Sequence, residues 1–267
     1  MSTLSRNPNR IGDFLSEEPP AVLYHYTDQQ GLLGIVRTRK MWATNIEYLN
    51  DQREYRHALA LMEECLRARQ PDHRALKLLK RWLSGKAKPI ESYVCSFSCE
   101  ADSLAQWRAY GGAAGGYAIG FEGETLRQAA GKNDMKLVKC VYESEQQSTI
   151  VEAVINDVMA SLHEPLLSEY VEILAPRMKH SGFAEEREWR LVGSCQDRSP
   201  QDKNFRKGAS MLVPYHVVDC QPIACVVVGP TIHKTLARRS VQRLLWKHGQ
   251  DLHHKKVTNS IIPYRAW

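Results

Sequence analysis

Short apolar segments of strand length recur along almost the whole chain, and helical segments are inserted between them. Even the longest apolar candidate, Ile223 to Gly229, is only as long as a strand. The chain has 267 residues, of which 43% are hydrophobic, so it is long enough to bury one large core. We therefore expect an α+β protein with one domain, residues 21–267, preceded by a flexible N-terminal segment, residues 1–20.

The N-terminus, the cysteines and the net charge limit the class of protein. No run of about 18 apolar residues is present, so we expect no helix that spans a membrane. Residues 1–18 lack the apolar core of a secretory signal, which favours a cytoplasmic location. The seven cysteines include no C-x-x-C pair, so neither a disulfide framework nor a structural zinc site is indicated. The net charge of +6 permits a polyanionic partner, although an ordinary solvated surface is the favoured interpretation.

Hydrophobic periodicity and turn residues locate the helices and strands. The longest helices are predicted at 54–69 and within 146–179, a region that Pro165 and Pro176 interrupt. The glycines of residues 111–116 give the backbone unusual freedom there. Other helices are predicted from about residue 29 to 39, at 72–83, 102–110 and 231–249, and strands at 21–26, 41–44, 92–98, 117–121, 136–142, from 183 onward, and at 215–218, 225–228 and 261–264.

The first candidate site segment is Tyr24-His25-Tyr26-Thr27, at the end of the first predicted strand. Alternation along a strand places Tyr24 and Tyr26 on one face and His25 and Thr27 on the other. The helix that follows begins beside His25, so the imidazole is well placed to bond a ribose hydroxyl or a phosphate. A core histidine bonded to a backbone carbonyl is an equally good interpretation of these four residues.

The second candidate segment begins with the strand Ser96-Phe97-Ser98. Alternation sends both hydroxyls to one face, where they bind a ligand or support a neighbouring catalytic group. The residues that follow add an amide, aromatic rings and a cation that suit a ligand pocket: Gln106, Trp107, Arg108 and Tyr110. The alternative is structural, with Trp107 buried and Asp102 paired with Arg108.

The third candidate segment is Glu185-Glu186-Arg187-Glu188-Trp189-Arg190. In a strand, Glu186, Glu188 and Arg190 share one face, so two carboxylates and a guanidinium project together. Such a pair of acids raises the pKa of one of them or orients a sugar hydroxyl. An exposed charged edge that prevents aggregation is the alternative, and this segment alone slightly favours it.

Signals for other chemistries are weaker. The pair His253-His254 has no further ligands nearby in sequence, so no metal is expected. Cys95 and Cys99 flank the serine strand, but nothing in the sequence indicates the lowered pKa of a nucleophilic thiol. Neither G-x-G-x-x-G opening a helix nor G-x-x-x-x-G-K-[ST] is present, which disfavours dinucleotide-fold and P-loop chemistry.

Seven short motifs together resemble a bacterial family that is catalogued only as a domain of unknown function. They are spread over nearly the whole chain, but the family resemblance implies no activity. The motifs are Y-H-Y-T with G-L-L-G-I (24–35), M-W-A-T with Y-L-N-D and Glu54 (41–54), S-F-S with D-S-L-A-Q-W-R-A-Y-G (96–111), G-Y-A-I-G-F (116–121), G-F-A-E-E-R-E-W-R (182–190), V-V-V-G-P (226–230) and S-I-I-P-Y-R (260–265).

A strand ending in aromatic-His-x-Thr, followed by a helix and a short strand, also resembles the opening of NAD-using ADP-ribosyltransferases. The resemblance implies a central, mostly antiparallel sheet with helical insertions, NAD as the substrate and a macromolecular acceptor. In that family a central strand bears Ser or Thr, and a later strand bears the catalytic glutamate. His25, Ser96/Ser98 and Glu186-Arg187-Glu188 occur here in that order.

This resemblance also implies a role for individual residues. His25 would hold the ribose of NAD, Thr27 its adenosine side, and Tyr48 or Tyr110 would stack on nicotinamide. The carboxylate of Glu188 would bond the ribose 2'-hydroxyl and stabilise the oxocarbenium ion as nicotinamide leaves. The catalytic residues implied are Glu188, Glu186 and His25, and the NAD-binding residues are Tyr24, His25, Tyr26, Thr27, Tyr48, Ser96, Ser98, Trp107, Arg108, Tyr110 and Arg190.

Three functions follow from these segments as hypotheses. The leading one is an enzyme that cleaves NAD and modifies a nucleic acid or protein, as a toxin or phage-defence effector with an antitoxin or defence-system partner. The first alternative is a sensor that binds a nucleotide or a nucleic-acid end without turnover. The second is a metal-dependent nuclease in which Asp102, Glu186 and Glu188 hold the ion.

Overall fold

Ten strands form a continuous sheet in the computed structural model, which describes residues 17–49, 52–69, 74–84, 91–112, 115–161, 171–194, 204–208, 210–220, 222–249 and 257–263. The pairing within these residues is antiparallel except between the last two strands and at an isolated bridge of Val141 with Met178. The strands are β1 (Val22–Thr27), β2 (Lys40–Asn45), β3 (Ser92–Ser98), β4 (Tyr117–Glu122), β5 (Met135–Lys139), β6 (Glu188–Ser194), β7 (Asn204–Lys207), β8 (Leu212–Asp219), β9 (Ile223–Val228) and β10 (Val257–Asn259).

Strand β3 is the branch point of the sheet. Strand β6 pairs with it along all seven residues, from Ser92 opposite Ser194 to Ser98 opposite Glu188. Because β6 occupies one whole edge, β1 and β2 must share the other edge. Strand β2 pairs there only at Tyr93 and Val94, and β1 pairs only at Ser98. The sheet therefore splits between β1 and β2 beside the middle of β3.

Helices cover both faces of the sheet. One core cluster joins α2, α3 and α6 to Val94 and Val192, and the other joins α1, α5 and α7 to Phe97 and Leu191. The period of two along β3 and β6 explains this division. The helices are α1 (Gln29–Thr38), α2 (Gln52–Arg69), α3 (Arg74–Leu83), α4 (Leu104–Tyr110), α5 (Gly123–Lys132), α6 (Ser144–Ser161) and α7 (Lys234–Lys247), with 3-10 helices at Ile46–Tyr48, Ala175–Arg177 and Ser181–Glu186.

The fold confirms the predicted α+β class and its mostly antiparallel sheet. The strand at the start of the chain continues into α1 as predicted, and the side chain of Asp28 caps that helix by accepting from the Gly31 N–H at 2.8 Å. Of the predicted N-terminal segment, residues 1–20, the structure describes only residues 17–20. Among the described residues, no helix combines the length and apolar character that crossing a membrane requires.

Four predictions of elements were wrong in part. The strand predicted from residue 183 onward begins only at Glu188, because Ser181–Glu186 is a 3-10 helix that ends at Arg187 with φ 44°. The final strand is Val257–Asn259 rather than 261–264, and residues 261–263 have no regular structure. The strand predicted at 136–142 ends at Lys139. The helical region predicted at 146–179 is helical at Ser144–Ser161 and at 171–174, whereas Ala175–Arg177 is a 3-10 helix and residues 178–179 are not helical; residues 162–170 lie outside the described residues. Helix α5 and strand β7 were not predicted.

The glycine-rich loop 111–116 ties the end of β1 to β9, and its residues 113 and 114 are outside the described residues. Gly116 has φ +37°, and a Cβ there would lie 2.4 Å from the Cα of Gly111 and 2.7 Å from the carbonyl oxygen of Thr27. The Gly116 carbonyl accepts from the Gly229 N–H at 2.9 Å. Only glycine fits such a conformation at so close an approach.

Candidate functional site

A small cleft opens where β1 separates from β3. It has a volume of about 70 Å³. Helix α4 and the 3-10 helix Ser181–Glu186 supply the rest of its wall. This cleft is lined by Tyr24, His25, Tyr26, Ser96, Phe97, Ser98, Gln106, Tyr110, Glu186 and Glu188. Residues that are distant in sequence and belong to all three candidate segments therefore meet in one place.

His25 bridges the gap in the sheet. Its Nδ1 lies 2.9 Å from the carbonyl oxygen of Ser96, so Nδ1 carries the proton and donates it to that bond. Burial lowers the pKa of His25, and its hydrogen bond to Ser96 opposes that shift. The ring is therefore neutral near pH 7, and its Nε2 atom acts as an acceptor. His25 therefore satisfies both interpretations: it bonds a backbone carbonyl, and it also lines the cleft.

The two serines of β3 differ in what their hydroxyls do. The Ser98 hydroxyl is buried, donates to the Glu186 carbonyl at 2.7 Å and accepts from the Glu100 N–H at 3.1 Å. Ser98 thus fixes the backbone that carries Glu186. Ser96 is only half-buried, and its hydroxyl makes no hydrogen bond to another residue of the described part of the chain. Ser96 is the serine that is placed to bond a ligand.

The carboxylates of Glu186 and Glu188 meet on one cation. Lys179 Nζ donates to Glu186 Oε2 at 2.5 Å and to Glu188 Oε2 at 2.8 Å. Glu188 also accepts two bonds from Arg190, from Nε at 2.7 Å and from Nη2 at 2.9 Å. Alternation along β6 puts Glu188 and Arg190 on one face, as predicted. Glu186 lies outside the strand, yet Lys179 still brings its carboxylate to Glu188.

Burial and charge act in opposite directions on Glu188. Burial raises the pKa of this carboxyl, but the charges of Arg190 and Lys179 outweigh burial and lower the pKa from 4.5 to about 2. Glu188 is therefore ionised at any pH near neutrality. Its backbone N–H donates to the Tyr142 hydroxyl at 2.9 Å, which holds the start of β6 in place.

The cations of this cluster lie behind the carboxylates. Lys179 and Arg190 are almost fully buried and do not line the cleft, whereas both glutamates do. Glu186 is the more accessible acid, with a side chain that is 19% exposed against 6% for Glu188. A ligand in the cleft would accordingly meet carboxylate oxygens.

Gln106 and Tyr110 reach the cleft from α4. Gln106 is only 6% exposed, and within the described residues its side-chain amide has no hydrogen-bond partner. This amide is not among the fully buried side-chain atoms of the described chain that lack a partner, so it is open to the cleft, where a ligand or solvent can bond it. Tyr110 is 46% exposed at the rim. Gln106 appeared in the sequence analysis only as part of a polar group, and its position one turn from Tyr110 was the available signal.

The tyrosines of β1 form the wall beside His25. The Tyr26 hydroxyl donates to the Glu100 carbonyl at 2.7 Å and accepts from the Ser103 N–H at 3.1 Å. Burial raises the pKa of Tyr26, and burial followed by the nearby Cys225 raises the pKa of Tyr24 to about 12. Both phenols stay protonated, so in this wall they act as hydrogen-bonding groups and not as bases.

Several residues proposed for NAD binding do not line the cleft. Trp107 is buried beneath Tyr26, with ring centroids 4.6 Å apart, and its Nε1 donates to Asp102 at 2.7 Å. The burial of Trp107 agrees with the structural alternative given in the sequence analysis. That alternative paired Asp102 with Arg108, whereas the carboxylate of Asp102 accepts hydrogen bonds from Trp107, Ser260 and Ile261. Three further residues also lie outside the cleft: Thr27 at the end of β1, Tyr48 after β2 and Arg108 on the exposed side of α4. Arg190 does not line the cleft either, because it lies behind Glu188.

Lys179, Arg177 and Tyr142 support the site but were not identified from the sequence. Arg177 is buried, and its Nε donates to the Lys139 carbonyl at 3.0 Å. The amide of Gln147 donates to the carbonyls of Val141 and Lys179, both at 2.8 Å. The segment Pro176-Arg177-Met178-Lys179 reads as exposed in sequence because lysine and arginine are rarely buried. Only the position of their acidic partners across the sheet reveals them.

Two other chemistries find no support in this cleft. Among the described residues, no group of three or more His, Cys, Asp or Glu side chains could hold a metal ion. The Cys95 thiol lies 4.0 Å from His25 Nδ1, but burial raises its pKa to about 12. A neutral thiol is a poor nucleophile.

The cleft as a whole offers hydrogen-bond acceptors to a ligand. Its acceptors are the carboxylates of Glu186 and Glu188 and the Nε2 atom of His25. Ser96, Gln106 and Tyr110 can both donate and accept.

Comparison with known proteins adds one match. A family model described as a protein of unknown function, DUF2971, matches residues 106–191, about a third of the chain. This match supports a domain of unknown function. The matched residues include Gln106, Tyr110, Glu186 and Glu188 of the cleft, whereas His25 and the serine strand precede them. No curated protein and no solved structure matches the chain.

Proposed function

We propose that the protein is an ADP-ribosyltransferase-like enzyme that cleaves NAD in this cleft and transfers ADP-ribose to a macromolecule. The observation that carries the proposal is the meeting of His25, Ser96 and the Glu186/Glu188 pair, from three separate segments, around one cleft. Their order in the chain is the order of the family's motif. The proposed setting is a bacterial cytoplasm, where the enzyme acts as a toxin or phage-defence effector with an antitoxin or defence-system partner.

In the proposed reaction, the bond between C1' of the ribose and the pyridinium nitrogen breaks. The bonding electron pair leaves with nicotinamide, and positive charge develops on C1' and the ring oxygen of the ribose. A nucleophilic oxygen or nitrogen of the acceptor bonds to C1' and loses its proton to solvent. Fixed carboxylates beside the developing cation lower the barrier because they need no reorganisation.

Five of the lining residues have a proposed task. Glu186, the accessible acid, lies against the ribose hydroxyls, and Glu188 keeps Lys179 and Arg190 in place behind it while adding its own negative charge. Nε2 of His25 accepts from a ribose hydroxyl. The amide of Gln106 bonds the carboxamide of nicotinamide, and Tyr110 stacks on its ring. Of the two tyrosines considered for that role, only Tyr110 lines the cleft.

The cleft is too small to enclose the whole dinucleotide. A pocket that encloses a whole ligand of drug size measures about 300–1,000 Å³, and this cleft measures about 70 Å³. The nicotinamide end would occupy the cleft, and the remainder of NAD would extend over its rim. The acceptor would then approach C1' from the open side.

The test is nicotinamide release from NAD by purified protein, with cell extract supplied as a source of acceptors. Wild type should release nicotinamide, and Glu186→Gln should lower the rate by about 100-fold or more, as removing one charge-stabilising group does in other active sites. Glu188→Gln should lower it to a similar extent. The matched control is Glu185→Gln, which removes the same charge from an exposed neighbour and should leave the rate unchanged.

Two results would count against the proposal. One is no release by wild type with or without extract, and the other is release that persists at the wild-type rate in Glu186→Gln and Glu188→Gln. Circular dichroism of each variant separates loss of chemistry from loss of fold.

A sensor without turnover is the second candidate, and the bonding of Glu188 favours it. The Glu188 carboxylate already accepts three charged hydrogen bonds, which reduces what it offers to a transition state. Calorimetry that finds NAD or a nucleotide bound to wild type but not to Gln106→Ala, together with no nicotinamide release, would establish this function in place of catalysis.

A further inference from the structure

The outward face of α7 combines cations with exposed apolar side chains. Positions 236, 239, 243, 246 and 247 recur at three- and four-residue intervals and therefore form one stripe along the helix. All of them are exposed, Trp246 by 81% and Leu236 by 66%. The stripe, which we call the α7 stripe, consists of Leu236, Arg239, Arg243, Trp246 and Lys247.

The opposite side of α7 holds the helix on the sheet. Val241 and Leu245 are buried there, with Ala237 and Leu244 packed against the same cluster. The helix contacts β9 and β10 through this side. The apolar side of α7 is packed against the sheet, so the helix is fully docked. Trp246 is exposed because it lies on the opposite, outward face.

The α7 stripe carries uncompensated positive charge. Helix α7 contains Lys234, Arg238, Arg239, Arg243 and Lys247 and no acidic residue, and residues 229–249 contain none either. Within the described residues, neither Arg239, Arg243 nor Lys247 has a salt-bridge partner. Arg239, Arg243 and Lys247 follow one another at four-residue steps, which correspond to about 6 Å along the helix axis.

We propose that the α7 stripe binds nucleic acid, with Arg239, Arg243 and Lys247 on phosphates and Trp246 stacked on an unpaired base. A row of cations attracts a polyanion, and an aromatic ring among them gives bases a surface to stack on. A lipid surface fits less well, because membrane-bound helices bury a continuous apolar face, which α7 uses inside the protein. This surface is separate from the cleft and does not depend on NAD cleavage.

The test measures fluorescence anisotropy of a labelled 15-nucleotide single-stranded RNA, and of its duplex, with the full chain. Wild type should bind the single strand, and Arg239→Gln/Arg243→Gln should weaken binding by at least about tenfold at low salt. Because this variant neutralises two fewer phosphates, the slope of log affinity against log salt should become shallower by about 1.4. Trp246→Ala should weaken binding of the single strand more than that of the duplex.

Helix α3 supplies the matched control. It is also basic and without acidic residues, and Lys77 and Arg81 are exposed at the same four-residue spacing. Lys77→Gln/Arg81→Gln removes the same charge from a different face and should change RNA affinity less than twofold. An equal loss in both double variants would show that attraction is nonspecific and would overturn the proposal.

Two further outcomes would also overturn it: no RNA binding by wild type at low salt, or binding to phosphatidylserine vesicles without binding to RNA. Nicotinamide release by Arg239→Gln/Arg243→Gln in the absence of nucleic acid should equal that of wild type. The two assays are therefore independent: a negative NAD assay does not affect the RNA result, and a negative RNA assay does not affect the NAD result.

Discussion

Glu188 couples the candidate site to the stability of the fold. Its carboxylate lies against two buried cations, Lys179 and Arg190, and all three groups are removed from water. Removing one member of such a cluster leaves uncompensated charge in the interior, which costs about 3 kcal/mol or more. The same ion pairs that hold the acid ready for a ligand are thus needed for folding.

The pH dependence of unfolding should report this cluster. The pKa of Glu188 is about 2 in the folded protein and 4.5 in the unfolded chain, so its stabilisation is complete above pH 4.5 and disappears as pH falls through 2. Glu188→Gln should therefore lower the free energy of unfolding by about 3 kcal/mol at pH 7. The difference from wild type should shrink progressively below pH 4.5.

Urea unfolding at pH 7, 4.5 and 3 measures this difference. Glu185→Gln is the control, since its carboxylate is exposed, and its curve should follow wild type at every pH. A difference between Glu188→Gln and wild type that stays constant from pH 7 to 3 would mean that Lys179 and Arg190 do not keep Glu188 ionised.

At the residue scale, the sequence predicted polar groups better than it predicted their partners. His25, Ser96 and the two glutamates were singled out because alternation along predicted strands placed polar side chains on shared faces. Lys179 was missed because a single lysine in a polar segment reads as exposed, and only the fold shows that both glutamates converge on it. The burial of Trp107 was one of two interpretations, and sequence spacing could not decide between them.

At the element scale, α4 is held by one carboxylate. Asp102 precedes the helix and accepts three hydrogen bonds: from Trp107 Nε1 at 2.7 Å, from Ser260 Oγ at 2.6 Å and from the Ile261 N–H at 2.8 Å. These bonds attach the helix to the segment after β10. Because α4 carries Gln106 and Tyr110, Asp102 also sets one wall of the cleft.

Asp102→Ala should lower the free energy of unfolding by about 2–3 kcal/mol, since it leaves three donors without an acceptor. Chemical denaturation at pH 7 measures the change. Asp219→Ala is the comparison, because Asp219 is exposed and its ion pair with Lys40 should be worth less than about 1 kcal/mol. A loss of stability in Asp102→Ala no greater than that in Asp219→Ala would mean that α4 is held by packing alone.

Most elements were predictable because their periodicity is local, as in β3, whose predicted and observed bounds agree. The segment before β6 failed for a physical reason. Its alternating charges read as a strand, but the His180 side chain accepts from the Gly182 N–H at 3.1 Å and starts a 3-10 helix there. Arg187 then turns the chain at positive φ, so only Glu188 and Arg190 belong to the strand.

At the scale of the whole molecule, the cleft depends on long-range pairing that one sequence does not specify. Strand β1 meets β3 across more than 70 residues of chain, as the bond between His25 and Ser96 shows. Neither the branching of β3 nor the resulting gap follows from local patterns. The sequence named His25, Ser96 and the two glutamates as candidates, and the sheet topology explains why they meet. The single-domain assignment itself stays a prediction.

The most direct test of the central claim is a crystal structure of Glu186→Gln in complex with NAD. The substitution should slow cleavage enough for intact NAD to accumulate, while Lys179 and Glu188 keep the cleft in place. We expect the nicotinamide ring between Tyr110 and Gln106, with a ribose hydroxyl within hydrogen-bond distance of His25 Nε2. NAD bound elsewhere, with the cleft occupied only by solvent, would contradict the account.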